Sequence, residues 1–224
     1  MSKIKWDLPG KHLYETGVSQ GVLYVKDRAT GVYGKGVAWN GLTAVTESPD
    51  GAEETPVYAD NIKYLSLRSV ENFNATIEAY TYPDEFEACD GSAELGTGVK
   101  IGQQPRSSFA FCYTTKVGNE NNSELGRKIH IIYGATASPS ERPYATVNDS
   151  PEAITFSWEI STVPVEVEGF KPTAHLEIDS TKVDSTKLKE IEDALFGTDP
   201  EEQVEGTDPR LLMPEDILAI LKAQ

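Results

Sequence analysis

The sequence predicts a mainly β fold, an antiparallel β-sandwich or barrel with one flanking short helix, followed by short C-terminal helices. Apolar and polar residues alternate with a period of two up to about residue 183, and this period is typical of strands with one buried face. Gly, Pro, Asn and Asp separate many short runs, as in sandwiches and barrels. From Asp184 onward the apolar residues recur at helical spacing instead.

Five segments show the alternation most clearly. In chain order they are Phe73–Tyr80, Phe109–Thr114, Ile129–Tyr133, Ala153–Ile160 and Ala174–Ile178. In the fourth, Ile154, Phe156, Trp158 and Ile160 share one face. A short helical turn is predicted at Pro83–Ala88, because proline suits the first helical position and acids follow it in the first turn.

Two short helices are predicted near the C-terminus. Leu188, Ile191 and Leu195 recur at i, i+3 and i+7, with Asp184 or Ser185 as the N-cap and Gly197 just past the end. A polar linker, Thr198–Pro209, leads to the second helix, Pro214–Leu221, which begins with proline and two acids.

We therefore divide the chain into a β-rich domain, 1–183, and an acidic extension, 184–224, with 11 acids and 4 bases. The apolar stripe of the last helix needs a surface to cover. Its own barrel and a neighbouring subunit are equally good candidates.

The formal charge of −16, from 36 acids and 20 bases, argues against a protein that grips nucleic acid, since phosphate binding needs a basic surface. An acidic wall past which DNA slides is compatible with this charge, and so is an acid excess that only maintains solubility.

No run approaches the ~18 apolar residues of a membrane span, and the N-terminus lacks a signal-peptide core. We expect a soluble protein kept in the cytoplasm until assembly, with Cys89 and Cys112 as free buried thiols.

No segment predicts catalysis, a metal or a cofactor. His12, His130 and His175 lack metal-ligand spacing and are expected to be hydrogen-bonded structural residues. The glycine-rich segment Leu95–Gly102 misses the phosphate-loop pattern and is predicted to be a flexible loop. The chain is therefore not expected to be an enzyme.

Aromatic residues beside acids at Tyr80, Tyr82 and Phe86 allow two interpretations. They could form a platform for sugars, or an aromatic corner that packs a helix onto a sheet edge. The corner is the more ordinary interpretation.

An acidic, turn-rich segment, Glu47–Pro56, separates the extended runs Trp39–Thr46 and Val57–Leu65. We expect a loop of roughly ten residues, longer than the usual hairpin connection.

An ordered series of unusual segments extends over most of the chain. The segments are Tyr14–Val18, Gly21–Tyr24, Trp39–Leu42, Tyr58–Tyr64, Ala75–Pro83, Ile101–Gln104, Tyr133–Ala135, Ala137–Arg142, Asn148–Ala153 and Lys171–Ala174. In this order the series resembles the major tail tube proteins of long-tailed (siphovirus-type) bacteriophages. The C-terminal helices are the least typical part.

The resemblance implies a structural subunit of the virion that forms stacked hexameric rings, whose hollow tube conducts DNA during ejection without binding it specifically. Implied partners are further copies of the chain, tail terminator and tail tip proteins, and a tape measure protein inside the tube. Joining strand edges around a ring would remove open edges.

By the same analogy, the inter-ring stacking loop would include Glu47, Asp50, Glu53 and Glu54, with Lys3–Tyr14 in a similar role. The alternative for this loop is a solvated surface excursion. Glu78 and Lys63 are candidates for the wall of the tube. Competing interpretations of the whole chain are a tube protein of a contractile tail or related injection machine, and a carbohydrate-binding β-sandwich.

Overall fold

The computed structural model describes residues 3–147, 149, 152–200 and 205–223. The strands are β1 (Tyr14–Val25), β2 (Val37–Trp39), β3 (Leu42–Glu47), β4 (Asp50–Gly51), β5 (Glu54–Ala59), β6 (Ile62–Arg68), β7 (Glu71–Asn72), β8 (Asn74–Ala79), β9 (Ala93–Gly96), β10 (Val99–Ile101), β11 (Phe109–Gly118), β12 (Gly126–Ala137), β13 (Phe156–Thr162) and β14 (His175–Asp179). The helices are a 3-10 turn (Asp84–Phe86), α1 (Glu87–Asp90), α2 (Ser185–Phe196) and α3 (Pro214–Lys222).

Within the described ranges, eight strands form the main sheet, in the order β2-β1-β11-β12-β13-β8-β3 with β14 also paired to β12, and all of these pairings are antiparallel. The predicted fold class is therefore confirmed: antiparallel β-structure with few short helices, including the C-terminal ones. A short helical element also follows Pro83, as predicted.

The sheet curls around a first core rich in aromatic side chains. Trp39 lies within 5.5 Å of Trp158, measured between ring centroids, and within 4.5 Å of Phe86. β1, which lies next to one end of the sheet, approaches β3 at the other end near Gly21, where an added Cβ would lie 2.6 Å from Leu42 Cδ1. The same Cβ would lie 2.9 Å from the backbone carbonyl oxygen of Trp39, so glycine permits the close packing at this position.

Gly134 marks the point where β12 changes partners. Upstream, residues up to Ile132 pair with β14, and from Ala135 onward the strand pairs with β13. Gly134 has φ +58°, and an added Cβ would lie 2.3 Å from the carbonyl oxygen of Val163. A glycine is needed here because the backbone is left-handed and in contact with another chain segment.

The C-terminal helices cover the other face of the sheet and create a second core. Ile191 and Leu195 of α2 and Ile217 of α3 are buried there with Ile129, Ile131 and other sheet residues. Tyr24 Oη donates to the Leu195 carbonyl at 2.6 Å. The stripe predicted to need a partner thus packs on its own sheet.

Both helices have the predicted termini. Asp184 is the N-cap of α2 and accepts from the backbone N–H groups of Thr186 and Lys187, while Gly197 is the C-cap. Pro214 begins α3. Of the predicted linker Thr198–Pro209, residues 201–204 lie outside the described residues. Among the described residues, no helix has both the length and the apolar character needed to cross a membrane.

Outside the segment 47–65, two sequence predictions are wrong in their secondary structure. Leu95–Gly102 is not a loop: β9 and β10 form a hairpin across the turn at Thr97 and Gly98, where Gly98 has φ +77°. The strand predicted to begin at Ala153 begins at Phe156, and Ile154 precedes it as an exposed residue. In the segment Asn148–Ala153, the residues 148, 150 and 151 lie outside the described part.

The cysteines agree with expectation. Cys89 and Cys112 are buried and free, and they belong to different cores on opposite faces of the sheet.

Candidate functional site

The acidic segment and the residues after it form a projecting hairpin, which we call the arm (residues 48–73). At its base, β4 pairs with β7, and farther out β5 pairs with β6. The two strands β5 and β6 connect through Asp60 and Asn61, which have φ 51° and 65°. Positive φ at both central residues is the requirement of the type I′ hairpin turn, so this pair sets the register of the adjoining pairs Ala59–Ile62 and Tyr58–Lys63, beyond which the register shifts at Val57.

The prediction of a single loop over Glu47–Pro56 is therefore wrong in its local structure. Glu47 ends β3 in the main sheet, Asp50 lies in β4, and Glu54 lies in β5, with Glu53 just before it. Three of the four acids thus lie along the arm, and Glu47 lies at its base. The inter-ring stacking role of these residues stays a prediction.

The arm has an apolar and a polar face. Val57 pairs with Leu65, and Thr55 pairs with Leu67, so their side chains share one face. On the other face the Glu54 carboxylate accepts from Lys63 and Ser66. The hydrogen bond from Lys63, followed by that from Ser66, lowers the pKa of Glu54.

The apolar face of the arm is open to solvent. All of β6, and all of β5 except Ala59, is exposed, and Leu65 and Leu67 have relative exposures of 40% and 58%. Within the described residues, β5 and β6 hydrogen-bond as strands to each other alone. In the described part of the chain, the arm therefore has two unpaired outer strand edges and one uncovered apolar face. Because an isolated two-stranded hairpin is marginally stable at best, a partner that covers these surfaces would stabilise the arm.

The N-terminal segment Lys3–Leu13 is a second exposed apolar feature. Ile4 and Trp6 have relative exposures of 70% and 72%. The segment is attached to the β11–β12 turn, because Gly10 donates its backbone N–H to Glu120 and accepts from Asn119.

The fold brings two of the three histidines together at the base of the arm. His130 Nδ1 lies 3.4 Å from His175 Nε2. The Glu47 carboxylate oxygen Oε1 lies 3.1 Å from His175 Nε2 and 3.6 Å from His130 Nδ1. We call Glu47, His130 and His175 the histidine cluster. A carboxylate and two imidazoles at these distances are a donor set that could hold a metal ion.

Neighbouring side chains fix the histidine cluster. Tyr113 Oη donates to Glu47 Oε1 at 2.6 Å, and His130 Nε2 lies 3.1 Å from the hydroxyl oxygen of Thr115. The imidazole of His130 stacks on Tyr113 at 4.7 Å between centroids, and His175 stacks on Phe73 at 4.9 Å. Phe73 is the last residue of the arm, so the cluster contacts both ends of the arm.

The environment lowers the pKa values of both Glu47 and His130 and raises that of the neighbouring Tyr113. The hydrogen bond from His175, together with that from Tyr113, lowers the pKa of Glu47 to about 2 despite partial burial. Burial lowers the pKa of His130, against the opposing effect of the Glu47 charge. Burial, then the Glu47 contact, raises the pKa of Tyr113. At neutral pH these shifts favour a charged carboxylate beside a neutral, buried His130 imidazole.

Sequence reasoning treated the three histidines separately and missed this cluster. His130 is on β12, His175 on β14 and Glu47 on β3, and His175 pairs with Ile132 in the sheet. Only the strand register shows that these residues share one face. Alternation places His130 and His175 on the strand faces opposite the apolar residues Ile129, Ile131 and Leu176, but it gives no distance between strands.

The remaining candidates lie apart from the cluster. Tyr82 packs against Phe86 and Trp158 in the first core, whereas Tyr80 is exposed. This is the aromatic corner and not a flat sugar platform. Glu78 lies on β8 of the main sheet, and Lys63 lies on the arm.

Comparisons with known proteins do not identify a family. No protein-family model matches the chain, and no curated protein matches it. Among solved structures, the chain is similar to the sheath/tube terminator of an extracellular contractile injection system (PVC, extended state). The identity is 11%, the match covers 79% of this chain and 99% of that chain, and the TM-score is 0.28. A TM-score this low supports neither a fold assignment nor a functional one.

Proposed function

We propose that this chain is a structural subunit of a phage-type tail tube, assembling as stacked, hexameric rings around a channel for DNA. The observation that carries the proposal is the arm. It is a two-stranded ribbon whose apolar face, including Val57, Leu65 and Leu67, is uncovered in the single chain. The arm also contains most of the acidic segment Glu47–Pro56, which by analogy with tail tube proteins is expected to reach the next ring.

An uncovered arm of this kind favours self-association. Large exposed apolar patches commonly mark interaction sites, and unpaired strand edges are templates for pairing with another chain. Identical copies arranged in a closed ring satisfy both needs with one repeated contact. The exposed apolar side chains of the N-terminal segment, Ile4 and Trp6, supply a second surface for the same purpose.

The charge supports a conduit for DNA. A net charge of −16 would repel phosphates along a channel wall and so prevent the DNA from sticking, within a screening distance of about 10 Å. Under this proposal the further partners are the tape measure protein inside the tube and the terminator and tip proteins at its ends, and the location is the virion. No reaction is catalysed.

Removal of the arm tests the proposal. Replacing residues 50–72 by an Asn-Gly turn keeps Glu47 and Phe73 and continues the existing β3–β8 register, in which Glu47 pairs with Ala75 and Ser48 donates its backbone N–H to the Asn74 carbonyl. We expect a folded chain with an intact near-UV spectrum that forms no tubes in negative-stain micrographs, whereas the unaltered chain does. Normal tubes from the armless variant would overturn the proposal.

A further inference from the structure

We propose that Glu47, His130 and His175 form a binding site for one divalent transition-metal ion of the zinc class. The three residues come from the end of β3, the middle of β12 and the start of β14. Two imidazoles and one carboxylate are a known zinc ligand set that leaves one position for water. The inference does not depend on the proposed tube function.

The distances fit tetrahedral coordination. The same three atoms, Glu47 Oε1, His130 Nδ1 and His175 Nε2, form a triangle with sides of 3.1, 3.4 and 3.6 Å. In tetrahedral coordination with zinc–ligand bonds of about 2.0–2.1 Å, neighbouring ligand atoms lie about 3.3–3.4 Å apart, and the three sides of the triangle bracket that separation. A metal ion could therefore be accepted with little movement of the strands.

The residues around the cluster orient these ligands. His130 Nε2 can donate its proton to the Thr115 hydroxyl at 3.1 Å, which leaves the Nδ1 lone pair for a metal. The hydrogen bond from Tyr113 holds the ligating oxygen of Glu47. Stacking on Tyr113 and Phe73 restrains the two imidazole rings. A ligand set held in this way loses little freedom when an ion binds.

The site is also accessible and electrostatically suited to a cation. The His130 side chain is 8% exposed, but those of His175 and Glu47 are 22% and 33% exposed, so an ion can enter from their side. Glu177 is the partner of His130 in the β12–β14 register, and it pairs, together with Glu15, with Lys128. Lys128, Glu15 and Glu177 together carry a net charge of one negative unit, which favours binding of a divalent cation at the neighbouring cluster.

A bound ion would join three strands at the base of the arm. Glu47 precedes the arm directly, and Phe73 at its other end stacks on His175. The ion would thus restrain the direction in which the arm leaves the sheet.

Metal titration of the full chain, freed of metal with a chelator, tests the site. With Co²⁺ as the probe, we expect one equivalent bound and the intense visible absorption of tetrahedral cobalt, which Zn²⁺ then displaces. H130Q, H175Q and E47Q should each weaken binding at least about 10-fold. T115V, which alters only the support of His130, should weaken it about 10- to 100-fold.

His12 provides the matched control. It also lies beside carboxylates, 3.5 Å from Asp7 and 3.5 Å from Glu120, but it is exposed and is not a member of the cluster. H12Q should bind cobalt as the unaltered chain does. Three results would overturn the inference: no stoichiometric binding at micromolar cobalt, octahedral rather than tetrahedral absorption, or unchanged affinity in E47Q and either histidine variant. E47Q changes a partly exposed side chain, so it serves if a histidine variant fails to fold.

Discussion

The apolar face of the arm allows a quantitative test of self-association through the double substitution L65A/L67A. Burying a leucine side chain completely is worth about 1.5–3 kcal/mol. Because Leu65 and Leu67 are already 60% and 42% covered within the single chain, the remaining surface is worth roughly 1 kcal/mol for each residue. Truncating both should weaken each contact made by the arm by about 2 kcal/mol. A tenfold change in affinity corresponds to about 1.4 kcal/mol, so the concentration required for assembly should rise roughly 30-fold.

Sedimentation velocity over a concentration series measures that threshold, and negative-stain microscopy identifies the assembled species. The matched control is L95A/L125A, which truncates two exposed leucines outside the arm, with relative exposures of 71% and 43%. The control should assemble as the unaltered chain does. Both double variants should unfold at nearly unchanged temperatures, because their side chains are largely exposed. An assembly threshold for L65A/L67A equal to that of the control would refute the reasoning.

Three further predictions concern the stability and reactivity of the single chain. G134A should destabilise the folded chain by at least about 2 kcal/mol, because the left-handed backbone and the 2.3 Å approach to the Val163 carbonyl oxygen are both incompatible with a Cβ. An unchanged midpoint of urea unfolding would contradict this. L195A, which removes a fully buried side chain of α2, should lower the free energy of unfolding by about 2–5 kcal/mol. D184A, which removes the N-cap of the same helix, should lower it by only about 0.5–2 kcal/mol. A larger loss in D184A than in L195A would argue against the second core. Burial raises the pKa of Cys89 to about 12 and also raises that of Cys112. Neither thiol should therefore react with a disulfide reagent at pH 8 until urea unfolds the chain. Rapid labelling of the native chain would contradict their burial.

Local signals in the sequence were sufficient for the C-terminal helices. Asp184, Gly197 and Pro214 fix their ends through capping chemistry that acts within a few residues. The surface that they cover could not be predicted, because an apolar stripe specifies that it needs a partner but not which one. The structure supplies the partner, the face of the sheet that includes Ile129 and Ile131.

The arm was predictable in part. Asp60 and Asn61 are residues that tolerate positive φ. The sequence prediction of one extended run over Val57–Leu65 is nevertheless wrong, because these two residues form the turn between β5 and β6. Asp60 and Asn61 lack the glycine that makes such a turn conspicuous, and Pro49 and Pro56 favour the prediction of a loop before them.

The histidine cluster could not be predicted from the sequence, because sheet register brings its members together over long separations in the chain.

Electron microscopy of the unaltered full chain, concentrated stepwise to its solubility limit, tests the central claim most directly. We predict rings that stack into striated, hollow tubes as the concentration rises. Persistence of isolated single chains at every concentration, with the arm intact, would contradict it.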